Sequence, residues 1–213
     1  MTTDASDLRE AAAALGGGLR RLTEAAVRST AGPAELHALA ERAEKLAAEL
    51  EAAGQRPLGS IPDLDDLRVG RRAYSPVTGV GHPGAPPVAV VRGEDGVSGR
   101  FRLGSAHEGP PGFAHGGVTA LILDELMGWA ARTTGRPSMT VDLRFAYRAP
   151  VPLDAPLTAA AEVVEREGRS IRVRGRVTAD ARPGRALVEA EGRFVTPEPE
   201  QISALFPGME HLL

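Results

Sequence analysis

The sequence predicts an α+β protein in which one central helix packs against an antiparallel sheet, preceded by a helical extension. Three observations carry this prediction. Residues 5–53 place apolar side chains at helical spacing, residues 88–196 break into short segments of strand texture, and only one long apolar run, Val118–Ala131, interrupts those segments. That run exceeds an average strand and is rich in helix formers, so it predicts a helix.

The elements follow in chain order. The first 53 residues predict two or three helices, interrupted at Gly16-Gly17-Gly18 and at Gly32-Pro33. The clearest starts at Pro33, carries Leu36, Leu39, Leu46 and Leu50 on one stripe, and stops near Gly54. Residues 1–56 form an N-terminal helical extension, and 57–84 a Pro- and Gly-rich connector with at most one short strand around Leu67 to Tyr74. Residues 85–198 form the main domain, and 199–213 a C-terminal tail. Within the main domain, Val88–Arg92 and Ser98–Leu103 flank a hairpin signal at Gly93-Glu94-Asp95-Gly96. After the helix come four strands, Met139–Tyr147, Leu157–Arg166, Ser170–Asp180 and Arg185–Thr196. Ile171, Val173 and Val177 alternate with Arg172, Arg174 and Arg176, the period-two pattern of an antiparallel strand with one solvated face.

Composition excludes several classes of function. The chain has 213 residues, a formal charge of −3 and no cysteine, which removes disulfides, thiolate nucleophiles and Cys-ligated metals together. The extension holds seven basic and nine acidic residues, so it lacks the cationic footprint of a DNA-reading helix pair and predicts packing or oligomer contacts. Nucleic acid and membrane are not expected partners. No apolar run reaches membrane-spanning length, and Asp4, Asp7 and Glu10 stand where a signal peptide would be basic, so a cytoplasmic location is expected. His37, His82, His107 and His211 show no spacing that pairs them as ligands, and no metal is expected. The serine-hydrolase elbow and the glycine-rich phosphate loops are missing.

The helix from Val118 is apolar nearly all round and is expected to be buried, which makes Asp124 conspicuous. Nothing three or four residues away on its own helix can neutralise it, and a buried carboxylate needs a partner or a function. Its stripe, Gly117, Ala120, Asp124, Gly128 and Ala131, is otherwise small, so the acid sits in a groove. Upstream, His115-Gly116-Gly117 opens the helix, where unpaired N–H groups and the positive dipole end can polarise a carbonyl oxygen. His115 either caps the helix or transfers a proton. Glu125 is rotated about 100° from Asp124 on a 3.6-residue helix and serves another face.

The segment Gly112-Phe-Ala-His-Gly-Gly-Val-Thr-Ala-Leu-Ile-Leu-Asp124, with Ser138-Met-Thr140-Val-Asp-Leu-Arg-Phe-Ala-Tyr147 and Pro150-Val-Pro152, resembles the hotdog-fold acyl-CoA thioesterases of the PaaI-like type. The resemblance spans about residues 85–197. It implies a helix wrapped by an antiparallel sheet, a dimer or larger homo-oligomer, and hydrolysis of an acyl-CoA thioester with no cofactor beyond the coenzyme A of the substrate. It further implies Asp124 as nucleophile or general base, Gly117 as the N–H that polarises the carbonyl, His115 at the helix entry and Thr140 as orienter of water. The sequence departs from that pattern at Gly109, where many relatives carry Asn or Gln. Phe113, Met127 and Trp129 are candidates for an acyl pocket, with core packing as the alternative for each, and Gly116 and Gly128 are further candidates for substrate binding. Arg148, or the row Arg172, Arg174 and Arg176, are candidates for the coenzyme A phosphates. A non-catalytic module that binds an acyl ligand for regulation is the alternative function, and a hydratase a weaker third, since only one clear carboxylate lies in the groove. With Gly117 and Asp124 seven residues apart, a rise of about 10 Å, one carbonyl cannot touch both within a chain, so the site is expected at a dimer interface.

Overall fold

The structure, a computed structural model, describes residues 3–66, 70–93, 96–135 and 137–205. Its elements are α1 (Thr3–Val27), α2 (Pro33–Ala52), β1 (Ala89–Gly93), β2 (Gly96–Phe101), a 3₁₀ turn (Ser105–His107), α3 (Gly116–Arg132), β3 (Met139–Tyr147), β4 (Leu157–Glu167), β5 (Ser170–Ala179), β6 (Ala186–Val195) and α4 (Pro199–Leu205). The strands form one antiparallel sheet in the order β1-β2-β4-β5-β6-β3. The sheet-and-helix expectation, a hotdog fold, is met.

α3 lies across the sheet and packs mainly on β4 and β5. It buries Thr119, Ile122, Leu123, Leu126, Met127, Ala130 and Ala131 against Leu157, Ala159, Ile171, Val173 and Val177 from the sheet. Glycine in the sheet makes the close approach possible. A Cβ at Gly175 would lie 3.0 Å from the Met127 sulfur and 3.1 Å from Leu123 Cδ2, tighter than packed side chains tolerate. The expectation that α3 is buried all round is corrected: Leu121 is 44% exposed and Gly117 is exposed, because the sheet covers only one side of the helix.

The interruption expected at Gly16-Gly17-Gly18 is also corrected, since α1 runs straight through it. Each glycine costs about 1 kcal/mol in a helix interior, and tertiary contacts offset this. Gly16 is buried where the helix meets the connector; a Cβ there would lie 2.6 Å from the Val80 carbonyl oxygen. One turn on, the Arg20 guanidinium donates to the carbonyls of Val80 (2.8 Å) and His82 (2.7 Å). Another turn on, the Glu24 carboxylate accepts from the N–H groups of Ser105 and Ala106, both at 3.0 Å. α2 has no such anchors and buries none of its residues.

The connector forms no strand among its described residues, only a bridge between Asp66 and Arg71; residues 67–69, part of the segment expected to hold a strand, lie outside the described residues. It does contribute to the core, burying Leu64, Ala73, Ser75 and Val77. No helix among the described residues is long and apolar enough to cross a membrane.

Candidate active site

A tight loop delivers the chain to the start of α3. The Gly109 N–H donates to the Phe113 carbonyl (2.9 Å), Gly112 N–H to the Glu108 carboxylate (2.6 Å), Ala114 N–H to Val151 (2.8 Å) and His115 N–H to His107 (2.9 Å). Gly109 presses on this loop: a Cβ would sit 2.8 Å from His115 Cα. The loop as folded leaves no room for a side chain at Gly109.

His115 is the N-cap of α3, and its Nδ1 accepts the Gly117 N–H at 3.0 Å. With Nδ1 accepting, the proton of a neutral imidazole sits on Nε2. The Val118 N–H returns to the His115 carbonyl, while the Gly116 N–H has no partner among the described residues. The Tyr147 hydroxyl donates to the Gly116 carbonyl at 3.1 Å, tying the end of β3 to the helix entry. Sequence reasoning missed this tyrosine as a site residue.

Two turns along α3, Asp124 is half-buried and Thr140 Oγ1 donates to its Oδ1 at 3.0 Å. β3 thus brings together two residues singled out by the resemblance. Beside them a recess of about 280 Å³ is lined by Asp124, Gly128, Thr140, Arg72, Arg132 and Ser138, among others. Gly128 is half-buried there and its missing side chain keeps the recess open. Glu125 lines the same recess, beside Asp124. Its carboxylate accepts from Ser75 Oγ (3.1 Å), Thr78 Oγ1 (3.5 Å) and Trp129 Nε1 (3.4 Å), pinning the connector to α3. Arg132 is held below the usual arginine range by burial, with the guanidinium groups of Arg72 and Arg92 adding to the effect and Glu125 opposing it.

Other sequence candidates fall outside this recess. Met127 is wholly buried on the sheet side of α3 and does not line this recess. Phe113 is 39% exposed in the loop before the helix. Arg148 pairs with Glu189 at 2.8 Å, Arg174 with Glu191 at 3.2 Å and Arg172 with Glu165, so these form a solvated, cross-paired face. His82 Nδ1 accepts the Gly84 N–H, and burial together with Arg20 holds its pKa below the ordinary histidine value. His211 lies outside the described residues. Among the described residues there is no group of three or more side chains able to hold a metal ion.

A family model described as the thioesterase superfamily matches residues 111–186, from the loop before α3 to the start of β6. The crystal structure of protein RHA08564, a thioesterase superfamily protein, superposes with a TM-score of 0.76 at 33% identity, covering 86% of this chain and 94% of that one. The chain belongs to the thioesterase superfamily. Coverage of 86% extends beyond the sheet and α3, so the superfamily relative shares part of the region before β1 as well. The chain is also similar to two curated proteins. One is acyl-coenzyme A thioesterase THEM4 of Xenopus laevis, 37% identical over 71 residues, 33% of this chain and 32% of the relative. The other is acyl-coenzyme A thioesterase THEM5 of Homo sapiens, 34% identical over 71 residues, 33% of this chain and 29% of the relative. The match thus spans about a third of the length of these curated relatives.

Proposed function

We propose that the protein hydrolyses an acyl-CoA thioester to the free acid and coenzyme A, in a site built from Asp124 of one subunit and the α3 entry of another. The observation that carries the reading is Asp124, half-buried at an open recess, held by the Thr140 hydroxyl, on a helix whose first turn offers backbone donors. The names of the curated relatives support the substrate class.

In this reading the thioester carbonyl accepts from the Gly116 and Gly117 N–H groups at a helix N-terminus, where developing oxyanion charge is stabilised. Gly117 is reached when the His115 ring gives up its hydrogen bond. Asp124 either takes a proton from water as the water oxygen attacks the carbonyl carbon, or attacks that carbon itself. In both routes the C–S bond breaks and the thiolate is protonated to coenzyme A; by the first route the water oxygen ends directly in the acid, and by the second a mixed anhydride of Asp124 and the acyl group forms, which water then hydrolyses to release the acid and restore the carboxylate. Thr140 fixes the Asp124 carboxylate. The chemistry calls for no metal or added cofactor. A cytoplasmic location fits a chain without cysteines.

The shared site follows from length. Gly117 and Asp124 lie about 10 Å apart along one helix. A two-fold pair of antiparallel α3 helices would bring each entry to the other's carboxylate. Two unpartnered surfaces support this: β3 ends the sheet with Met139, Val141 and Tyr147 at 42%, 49% and 55% exposure, and Leu121 is open on α3. Thiol release from acyl-CoA thioesters, compared between wild type and Asp124→Asn, tests the reading. The variant is expected to fold and bind but to lose about 100- to 10,000-fold in turnover. Near-normal hydrolysis by folded Asp124→Asn would remove the carboxylate from the mechanism.

A further inference from the structure

We propose that α2 pairs with α2 of a second copy of this chain, antiparallel, in a register fixed by Arg42 and Glu49. The pairing is independent of the chemistry at Asp124. α2 runs for twenty residues and buries none of them. A helix of that length is marginal in water unless its apolar face is covered. Its ends are nevertheless set by local chemistry. Pro33 holds the first position, the Gly32 N–H donates to the Glu35 carboxylate at 3.3 Å, and Gly54, at φ 115°, turns the chain out of the helix.

The side chains of α2 fall on two faces. Leu36, Leu39, Ala43, Leu46 and Leu50 recur at spacings of three and four, a heptad seam, with the leucines 46, 47, 38 and 39% exposed. His37, Glu41, Glu44, Lys45 and Glu51 occupy the opposite face. Four leucines in one row make the contiguous apolar surface that a partner covers. The seam is flanked by Ala40 and Ala47 on one side and by Glu35, Arg42 and Glu49 on the other. The alanines let a second helix come close. Among the described residues neither Arg42 nor Glu49 has an ion-pair partner within the chain, so both charges are available to a second copy.

Charge decides how two such seams meet. In an antiparallel pair each charged flank faces its own counterpart, whereas in a parallel pair it faces the alanine flank. Antiparallel layers of Leu39 on Leu50 and Ala43 on Leu46 of the second copy set Arg42 beside Glu49 of the second copy, and the two-fold axis repeats the pair. A slip of one heptad, to Leu36 on Leu46 and Leu39 on Ala43, sets Arg42 beside Arg42 and Glu35 beside Glu49. Those like charges repel. A parallel pair sets Arg42 beside Ala47, with no charge match. α1 also exposes leucines, Leu8, Leu15 and Leu22 at 51, 41 and 50%. Between them stand Ala11 and Gly18, so that row has gaps where α2 has leucine, and α2 of a second copy is the better complement.

Disulfide trapping in the full chain tests the pairing cleanly, because the sequence has no cysteine of its own. Leu39→Cys together with Leu50→Cys in one chain is expected to cross-link two copies on mild oxidation, giving a species of twice the chain mass under denaturing conditions. Within one helix these positions are about 16 Å apart, too far to close on each other. Leu39→Cys alone and Leu50→Cys alone should stay uncross-linked, since the antiparallel register holds each position about as far from its own copy. Cross-linking of a single variant as fast as the double variant overturns the antiparallel arrangement. No cross-linking of the double variant overturns pairing through this seam, docking of α2 on α1 of a second copy included. In the same two-cysteine background, Arg42→Glu should slow cross-linking roughly fivefold or more at low salt, and adding Glu49→Arg should restore it. No slowing, or no recovery, overturns the register. Leu46→Glu should abolish the cross-link, and a cross-link that survives it reports chance collision and overturns the seam.

Discussion

α3 and α2 are helices of similar length, but α3 carries three charged side chains and α2 seven, and one buries seven residues while the other buries none. The difference lies in what each meets. α3 lands on a sheet with glycines under Met127 and Leu123, so its side chains find a surface they can touch. α2 projects from the body with leucines 38–47% exposed, although its spacing is the more regular of the two. Periodicity identifies a helix and its apolar face; it does not say whether the partner for that face belongs to the same chain.

Substitutions of matched size can break this comparison. Leu123→Ala removes a fully buried side chain between α3 and the sheet and is expected to cost about 2–5 kcal/mol in denaturant unfolding. A loss below about 1 kcal/mol would mean that α3 is not packed as described. α1 stands between the two cases, since its anchor is a hydrogen-bonded carboxylate. The backbone N–H of Ala106 first, then contacts to Ser105 and the charge of Arg28, hold the Glu24 pKa below the ordinary carboxylate value against a smaller desolvation effect. The docking this supplies is therefore present above the ordinary carboxylate range and lost as pH falls through the depressed value. Hydrogen exchange in α1 should rise relative to α3 under acid conditions, and Glu24→Gln should weaken that pH dependence; an α1 whose protection follows α3 at every pH would contradict it. At the small end, Leu46→Ala in α2 is expected to change the stability of the body by less than about 0.5 kcal/mol. A cost like that of Leu123→Ala would place α2 against the body of its own chain.

The same contrast explains what was legible in the sequence. β3 spans the expected Met139 to Tyr147, and α3 differs from the expected run by two residues at its start and one at its end. Both carry local patterns. The continuity of α1 through Gly16-Gly17-Gly18 was not legible, because the contacts that hold it are made to Val80, His82 and Ser105, far away in the chain. The helix entry and Asp124 could be found from motif spacing, and the structure adds Thr140 as the hydrogen-bond partner of Asp124. The wall made by Arg72, Arg132 and Ser138 could not, since it joins the connector to the end of α3 and the start of β3, and no spacing records such a meeting. The rotation of Glu125 away from Asp124 was legible, but its partners Ser75 and Thr78 came from a segment that looked like a plain linker.

The central claim is that one site needs the carboxylate of one chain and the helix entry of another. Mixing two inactive variants tests it most directly. Asp124→Asn lacks the carboxylate, and Gly117→Pro lacks the entry N–H at a first-turn position where proline is tolerated. Subunits of the two, unfolded together and refolded, should regain about a quarter of wild-type thiol release, because half of randomly paired dimers are mixed and each holds one intact site. Confirmed mixed dimers, folded by circular dichroism yet no more active than either parent, would contradict a shared site.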